Sequence, residues 1–340
     1  MRISDRSTAR NYLKYLNQAQ SSYAKTHEQI MSEHRFEKLS DDISSGTRVL
    51  RARTELYKTE KQLDNVKSVN DELAMAEDTM TTIQDIMTQI NTLSIKAMSD
   101  EKGESRAAIA NEVKALKEQI LSLSNTKYGK RYIFGGSNAS LASPFEKTAE
   151  GKLLYNGIDV DAITKDENGY FYLDQNGDRK TIPANEDVYL DIGLGLKMKG
   201  SQTDGDTGFL VSFSGLDIMG FGKDPESGLS NNIYNLLENL ENSIRNHDRD
   251  TLGKIQTHLT VLSDKFRANL TDIGARTNFL DTMQTRLENS VDNYNTRIYN
   301  LMGTDPKEAS TALTMNDYVL KAVIQMGSRI LPVSLMDFIQ

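Results

Sequence analysis

The sequence has no cysteine and no tryptophan, only five prolines and four histidines, and no long apolar run. Each scarcity excludes something. Without cysteine there is no disulfide, no thiolate metal site and no thiol nucleophile. No stretch approaches the roughly 20 apolar residues that a membrane span needs. The start, "MRISDRSTARNYLKYL", lacks the apolar centre and small-residue cleavage site of a secretory signal peptide, so an exported chain is expected to take another route. His27, His34, His247 and His258 include no i, i+4 pair of the kind that holds zinc on a helix.

Chemistry-bearing motifs are equally scarce. "ISSGTR" and "GLGLKMKG" lack the Gly-Lys-Ser/Thr end of a phosphate loop, and no Gly-x-Ser-x-Gly elbow occurs. "DENG" and "DQNGD" lack the terminal glutamate of a calcium loop and read as hairpin turns. The formal net charge is −8, and Lys and Arg are scattered rather than gathered in a stripe, so nucleic acid is not an expected partner. No catalytic, cofactor-binding or metal residues are expected, and an enzyme is not the expected class.

What is present is helical rhythm. Hydrophobic content is 38%, little for a thick core but enough for thin seams along long helices. Leu63, Val66, Asn70, Leu73, Ala76, Met80, Ile83, Met87, Ile90, Leu93 and Ala97 recur at spacings of three and four, the a/d pattern of a coiled-coil seam. Asn70 is its polar member, suited to setting register. A continuous helix here would run on the order of 60–80 Å. "SDEKGE" then signals a turn. A shorter series (Ile109, Val113, Leu116, Ile120, Leu123) is expected to fold back as an antiparallel partner.

Between about Tyr132 and Phe221 the character changes. Asn-Gly pairs at 156–157, 168–169 and 176–177 are preferred centres of type I′ hairpins, with strand-like "YFYL" and "FLVSF" nearby. Helical rhythm returns from Ile233 through Ile273 and from Leu280 through Leu301, until "GTDP" breaks it. The last helix carries Ala312, Met315, Val319, Ala322, Met326 and Ile330 on one stripe. The expected fold is mainly α with an inserted β-rich domain: an elongated antiparallel helical rod with the N- and C-terminal helices paired.

The two ends are unusual. Residues 1–40 carry a weak seam of Leu13, Leu16, Tyr23 and Ile30, marginal for an isolated helix. "RILPVSLMDFIQ" crowds Ile330, Leu331, Val333, Leu335, Met336, Phe338 and Ile339 at the end of an acidic, polar chain. A pair of such helices leaves apolar surface outside, which usually marks an interaction face.

Several separated motifs resemble the flagellin family, and within it the hook–filament junction branch (hook-associated protein 3). They are "MRIS", "KLSDD" (Lys38 to Asp42), "YIFGGSN" (Tyr132 to Asn138), "SPF" (Ser143 to Phe145), "YNG" (Tyr155 to Gly157) and "SRILPVSLMDFIQ". The chain departs from the family at "SEHRF", where Glu33 and His34 replace the usual Gly-containing element, and at Ile43 in place of Pro; a more continuously helical start to the rod is expected from this.

The resemblance implies a structural subunit of the bacterial flagellum, exported through the flagellar type III apparatus, whose ends fold on assembly. It implies terminal helices at 1–40 and 305–340 forming the assembly core, a helical rod from 41–136 and 229–304, and an outer β domain at 137–228. Implied partners are a hook-side hook-associated protein, flagellin, neighbouring copies, and an export chaperone on the C-terminal helix. The assembly and chaperone residues so expected are Leu13, Leu16, Tyr23, Val319, Met326, Ile330, Leu331, Leu335 and Phe338. Alternatives are flagellin itself, a free coiled-coil binding or signalling module with a β head, and a polysaccharide-degrading enzyme with paired carboxylates.

Overall fold

The seam read from the sequence becomes helix. In a computed structural model that describes residues 2–330, apart from 100–102, 138–141, 149–150, 167–168, 184–185, 196, 200–201 and 204–207, seven α-helices occur among the described residues. They are α1 (Arg2–Ser32), α2 (Ile43–Ser99), α3 (Gly103–Ser124), α4 (Gly215–Met219), α5 (Ile233–Asn246), α6 (Arg249–Met302) and α7 (Pro306–Ile330). The chain divides into two units, Lys61–Glu288 and the terminal unit of Met1–Glu60 with Asn289–Gln340.

Within Lys61–Glu288 the a/d series of α2 is the core. Val66, Leu73, Ala76, Met80, Ile83, Met87 and Ile90 are buried, and they join Val113 and Ile120 of α3, Leu240 and Ile244 of α5, and Leu252, Leu259 and Phe266 of α6 in one cluster. Fully burying each such large apolar side chain is worth about 1.5–3 kcal/mol. Polar contacts fix the directions. Lys67 meets Glu288 at 3.2 Å, Asn70 Nδ2 donates to Asp281 at 2.9 Å, and Thr277 donates to Glu77 at 3.4 Å, so α2 and α6 run antiparallel. Asn70, the polar member of the seam, thus reaches across to α6.

α3 and α5 are also antiparallel, and they share a buried charge. Lys117 lies 1% exposed, paired with Glu241 at 3.1 Å and with Glu238, and its ammonium sits 5.2 Å from the Tyr234 ring centroid. Burial alone would raise the Glu241 carboxyl, but hydrogen bonds from Lys117 and Arg245 outweigh that and hold it below the usual carboxylate range. Arg245 also donates to Asn111 at 2.7 Å. A buried ammonium is tolerated only with such partners.

The β-rich stretch is a set of short antiparallel ladders. β1 (Lys127–Tyr128) pairs with β2 (Arg131–Tyr132); β3 (Phe145–Lys147), β4 (Leu153–Tyr155) and β5 (Ile158–Asp159) form a meander. β6 (Thr164–Asp166), β7 (Gly169–Leu173) and β8 (Arg179–Thr181) form a second meander. β9 (Tyr189–Leu190) pairs with β12 (Phe209–Leu210), and β10 (Met198–Lys199) with β11 (Gln202–Thr203). Asn156 and Gly157, both at positive φ (48° and 86°), make the β4–β5 turn with the type I′ geometry that Asn-Gly favours. At the β7–β8 turn the Asp174 carboxylate accepts from the Asn176 and Asp178 amides, both at 2.9 Å. Asn168 lies outside the described residues. Phe145, Tyr155, Val160, Phe209 and Phe213 belong to the same core cluster as the helices, so these ladders are anchored rather than appended.

The terminal unit is built more thinly. Its buried cluster is Phe36, Val49 and Met302, with Ile298 and Leu301 against it. α1 and α7 pair antiparallel, as their marginal individual seams require. Asp305 caps α7, accepting from the Lys307 amide at 2.9 Å, with Pro306 at the first helical position where its missing N–H costs nothing.

Candidate assembly surface

The α1–α7 pair sets what the terminal unit shows to solvent. On α1 the inward line is Tyr12, Leu16, Ala19, Tyr23, Thr26 and Ile30, alternating spacings of four and three. On α7 it is Ala309, Leu313, Asn316, Leu320, Val323 and Gly327. Asn316 Nδ2 donates to Thr26 Oγ1 at 2.7 Å, while that hydroxyl donates to the Ser22 carbonyl at 2.9 Å. Gly327 receives the Tyr12 ring; a Cβ built there would fall on the phenol hydroxyl.

The α7 stripe expected from sequence lies one residue away from this seam. Two a/d series overlap along α7, offset by a single position. The series with the small and hydrogen-bonding members faces α1, because only it lets Tyr12 close on Gly327 and Asn316 reach Thr26. Of the other series, Ala312 and Ala322 are half-buried while Met315 is 68% exposed, Val319 43% and Met326 57%, with Tyr318 at 74% beside them.

Of the expected interface residues, Leu16 and Tyr23 are half-buried in the α1–α7 seam, and the Tyr23 ring stacks near His27 at 6.2 Å. Leu13 is 53% exposed, off that seam; Tyr12 takes the inward place. Val319 and Met326 share the outer face of α7. Ile330 ends α7, but its side chain lies outside the described residues, as do Leu331, Leu335 and Phe338 altogether. Thr26, Asn316 and Gly327 were not singled out from sequence, although a glycine and an asparagine inside a helical a/d series are signals of close approach and of a polar register contact.

A second exposed series lies on α2. Ile43, Leu50 and Tyr57 repeat every seven residues, each more than half exposed, and Tyr299 of α6 is similarly exposed.

The segment between α1 and α2 is a braced turn, not a continued helix. Glu33 adopts φ 58°, ending α1, and the chain from there to Asp42 is not helical. α2 runs unbroken from Ile43, where the family usually has Pro, while the chain ahead of it is not helical. Ile43 is the first residue of α2, and Asp42 ahead of it stops the preceding turn by capping: its carboxylate accepts from the Ser45 amide at 2.9 Å. Arg35 ties the turn together, donating to Asp42 and Ser45 at 3.0 Å each and to the Leu301 carbonyl at 3.4 Å. The Arg35 amide bonds the Met302 carbonyl at 2.6 Å and the Thr304 amide bonds the Glu33 carbonyl at 2.9 Å. Hydrogen bonds from Ser45, backbone first, and the Arg35 charge hold the Asp42 carboxyl below its ordinary value.

Among the described residues no group of three or more His, Asp or Glu side chains is placed to hold a metal ion, and no helix is long and apolar enough to cross a membrane.

Long antiparallel helices that carry a β-rich insertion and close with paired terminal helices define a flagellin-type fold. Residues 3–139 match the family model of the bacterial flagellin N-terminal helical region. Among solved structures, a putative flagellar hook-associated protein from Vibrio parahaemolyticus has a TM-score of 0.58 at 13% identity, over 77% of this chain and 100% of its own. FlgL from Xanthomonas campestris has a TM-score of 0.51 at 15% identity, over 74% of this chain and 99% of its own. No curated protein matches the chain in sequence.

Proposed function

We propose that the protein is a non-enzymatic structural subunit of the bacterial flagellum that joins hook to filament. Its fold and the flagellin match of residues 3–139 support this class. The observation that carries the mechanism is the outward apolar series Met315, Val319 and Met326 on a terminal helix whose inward face is already used. Unsatisfied apolar surface of this kind is stabilised when a partner covers it.

In this reading the ends, 1–40 and 305–340, are the assembly core; 41–136 with 229–304 make lateral contacts; 137–228 faces outward. Partners are a hook-side hook-associated protein, flagellin and neighbouring copies. An export chaperone shields the C-terminal helix before the chain leaves through the flagellar type III apparatus. Leu331, Leu335 and Phe338, beyond the described residues, are included in this proposed contact set by their apolar character alone.

Deletion of the gene in its own bacterium tests the proposal, with flagella imaged by electron microscopy. Hooks without attached filaments, restored by the native chain but not by a Met315→Ser, Val319→Ser, Met326→Ser variant of normal helicity, are expected. Intact filaments in the deletion strain would overturn it.

A further inference from the structure

The β-rich part of the Lys61–Glu288 unit holds a cleft that the assembly reading does not use. Its volume is about 1050 Å³, just above the usual range for small-ligand sites. It lies among β7, the β9–β12 ladder, α4 and α6. On one side Tyr170 is set edge-on to Phe221, ring centroids 5.0 Å apart, and its hydroxyl donates to Asp217. Asp217 also holds Lys165 at 3.0 Å, and its carbonyl accepts from Asn269 Nδ2 at 2.6 Å. On the other side Arg276 is held by Asp272 at 2.8 Å and lies 5.5 Å over the Phe213 ring. Tyr189, half-buried, lines the cleft next to Asp187.

This lining has a definite preference. Both cations already hold carboxylates, and Glu186 and Asp187 add negative charge, so an anionic ligand gains nothing. A purely apolar ligand would cut the Glu186 and Asp187 carboxylates off from water. A neutral chain of hydroxyl groups satisfies them, since each hydroxyl both donates and accepts. The C–H faces of such a chain lie against a tyrosine ring, whose π-face is negative.

We propose that this cleft binds a neutral oligosaccharide, with Tyr189 as its apolar platform, the Tyr170 ring already being covered by Lys165 at 4.5 Å and by Phe221, and with Asp217, Asn269 and Arg276 orienting its hydroxyls. The inference is independent of the flagellar reading and stands or falls separately from it.

Saturation-transfer NMR and titration calorimetry on the full chain, with maltotriose, mannotriose and N-acetylchitotriose as probes, provide the test. At least one trisaccharide should bind, and Tyr189→Ala and Arg276→Gln should each weaken it by about ten-fold or more, a loss of roughly one good contact. Arg276→Gln, on a helix, keeps the test open should Tyr189→Ala disturb the β9–β12 ladder. No binding of any of the three, binding unchanged in both variants, or preference for a sulfated oligosaccharide would overturn the proposal.

Discussion

The two units use their apolar residues in opposite ways. Between Lys61 and Glu288, helices and ladders share one cluster in which whole a/d series are closed from water. In the terminal unit the buried cluster is small, and Ile43, Leu50, Tyr57, Tyr299, Met315, Tyr318 and Met326 stay more than half exposed. The first unit leaves few large apolar side chains more than half exposed, Ile95 and Leu173 among them; the terminal unit, though smaller, leaves more. The difference separates apolar surface that one chain buries from surface that, in the proposed function, partners would cover.

The comparison can be broken most forcefully at the buried charge. Lys117→Ala leaves Glu241 and Glu238 without their ammonium beside the α3–α5 contact, and is expected to cost about 3–5 kcal/mol. Denaturant unfolding followed by circular dichroism measures it; a change below about 1 kcal/mol would mean that water already reaches the site. Gly327→Ala comes next. The new methyl meets the Tyr12 ring, and the α1–α7 pair should lose about 1–3 kcal/mol. That loss should appear as faster amide exchange in those two helices, with the unfolding of the other unit unchanged. Asn316→Ala removes one seam hydrogen bond and is expected to cost about 1 kcal/mol in the same measurement.

The smallest effect concerns pH. The Asp42 carboxyl is depressed in the folded turn, so its contribution is fully present above the ordinary aspartate range and is lost as pH falls through the lowered folded value. Exchange in the first turn of α2 should quicken across that acid window, and Asp42→Asn should remove most of the pH dependence. An unchanged acid profile in that variant would assign the effect elsewhere.

How much was legible follows the same division. From Leu63 to Ala97 one face carries every apolar residue of the repeat, so period alone places the seam correctly, and the structure closes most of it from water. The Asn156-Gly157 turn was equally readable, because few other residue pairs hold two successive positive φ values at low cost. On α7 two apolar series lie one residue apart, and periodicity cannot choose between them; Gly327 and Asn316 choose, through Tyr12 and Thr26 near the other end of the chain. Lys117 was invisible for a related reason. Nothing near it in sequence announces that Glu238 and Glu241 will arrive to neutralise it. Nor did the sequence around Ile43 reveal that Asp42 and Arg35 would brace the turn ahead of α2. Local period was read well, and partners brought in from far along the chain were not.

The central claim is that one unit buries most of its large apolar side chains within a single chain, and that partners would cover those the terminal unit leaves exposed. Amide hydrogen exchange on the full-length monomer, followed by mass spectrometry, tests it most directly. Residues 66–97, 110–120 and 233–244 should stay protected for hours while α1 and α7 exchange within minutes, and the two terminal helices should become protected once the chain is polymerised. Equal protection of α1, α7 and the Lys61–Glu288 helices in the free monomer would contradict the account.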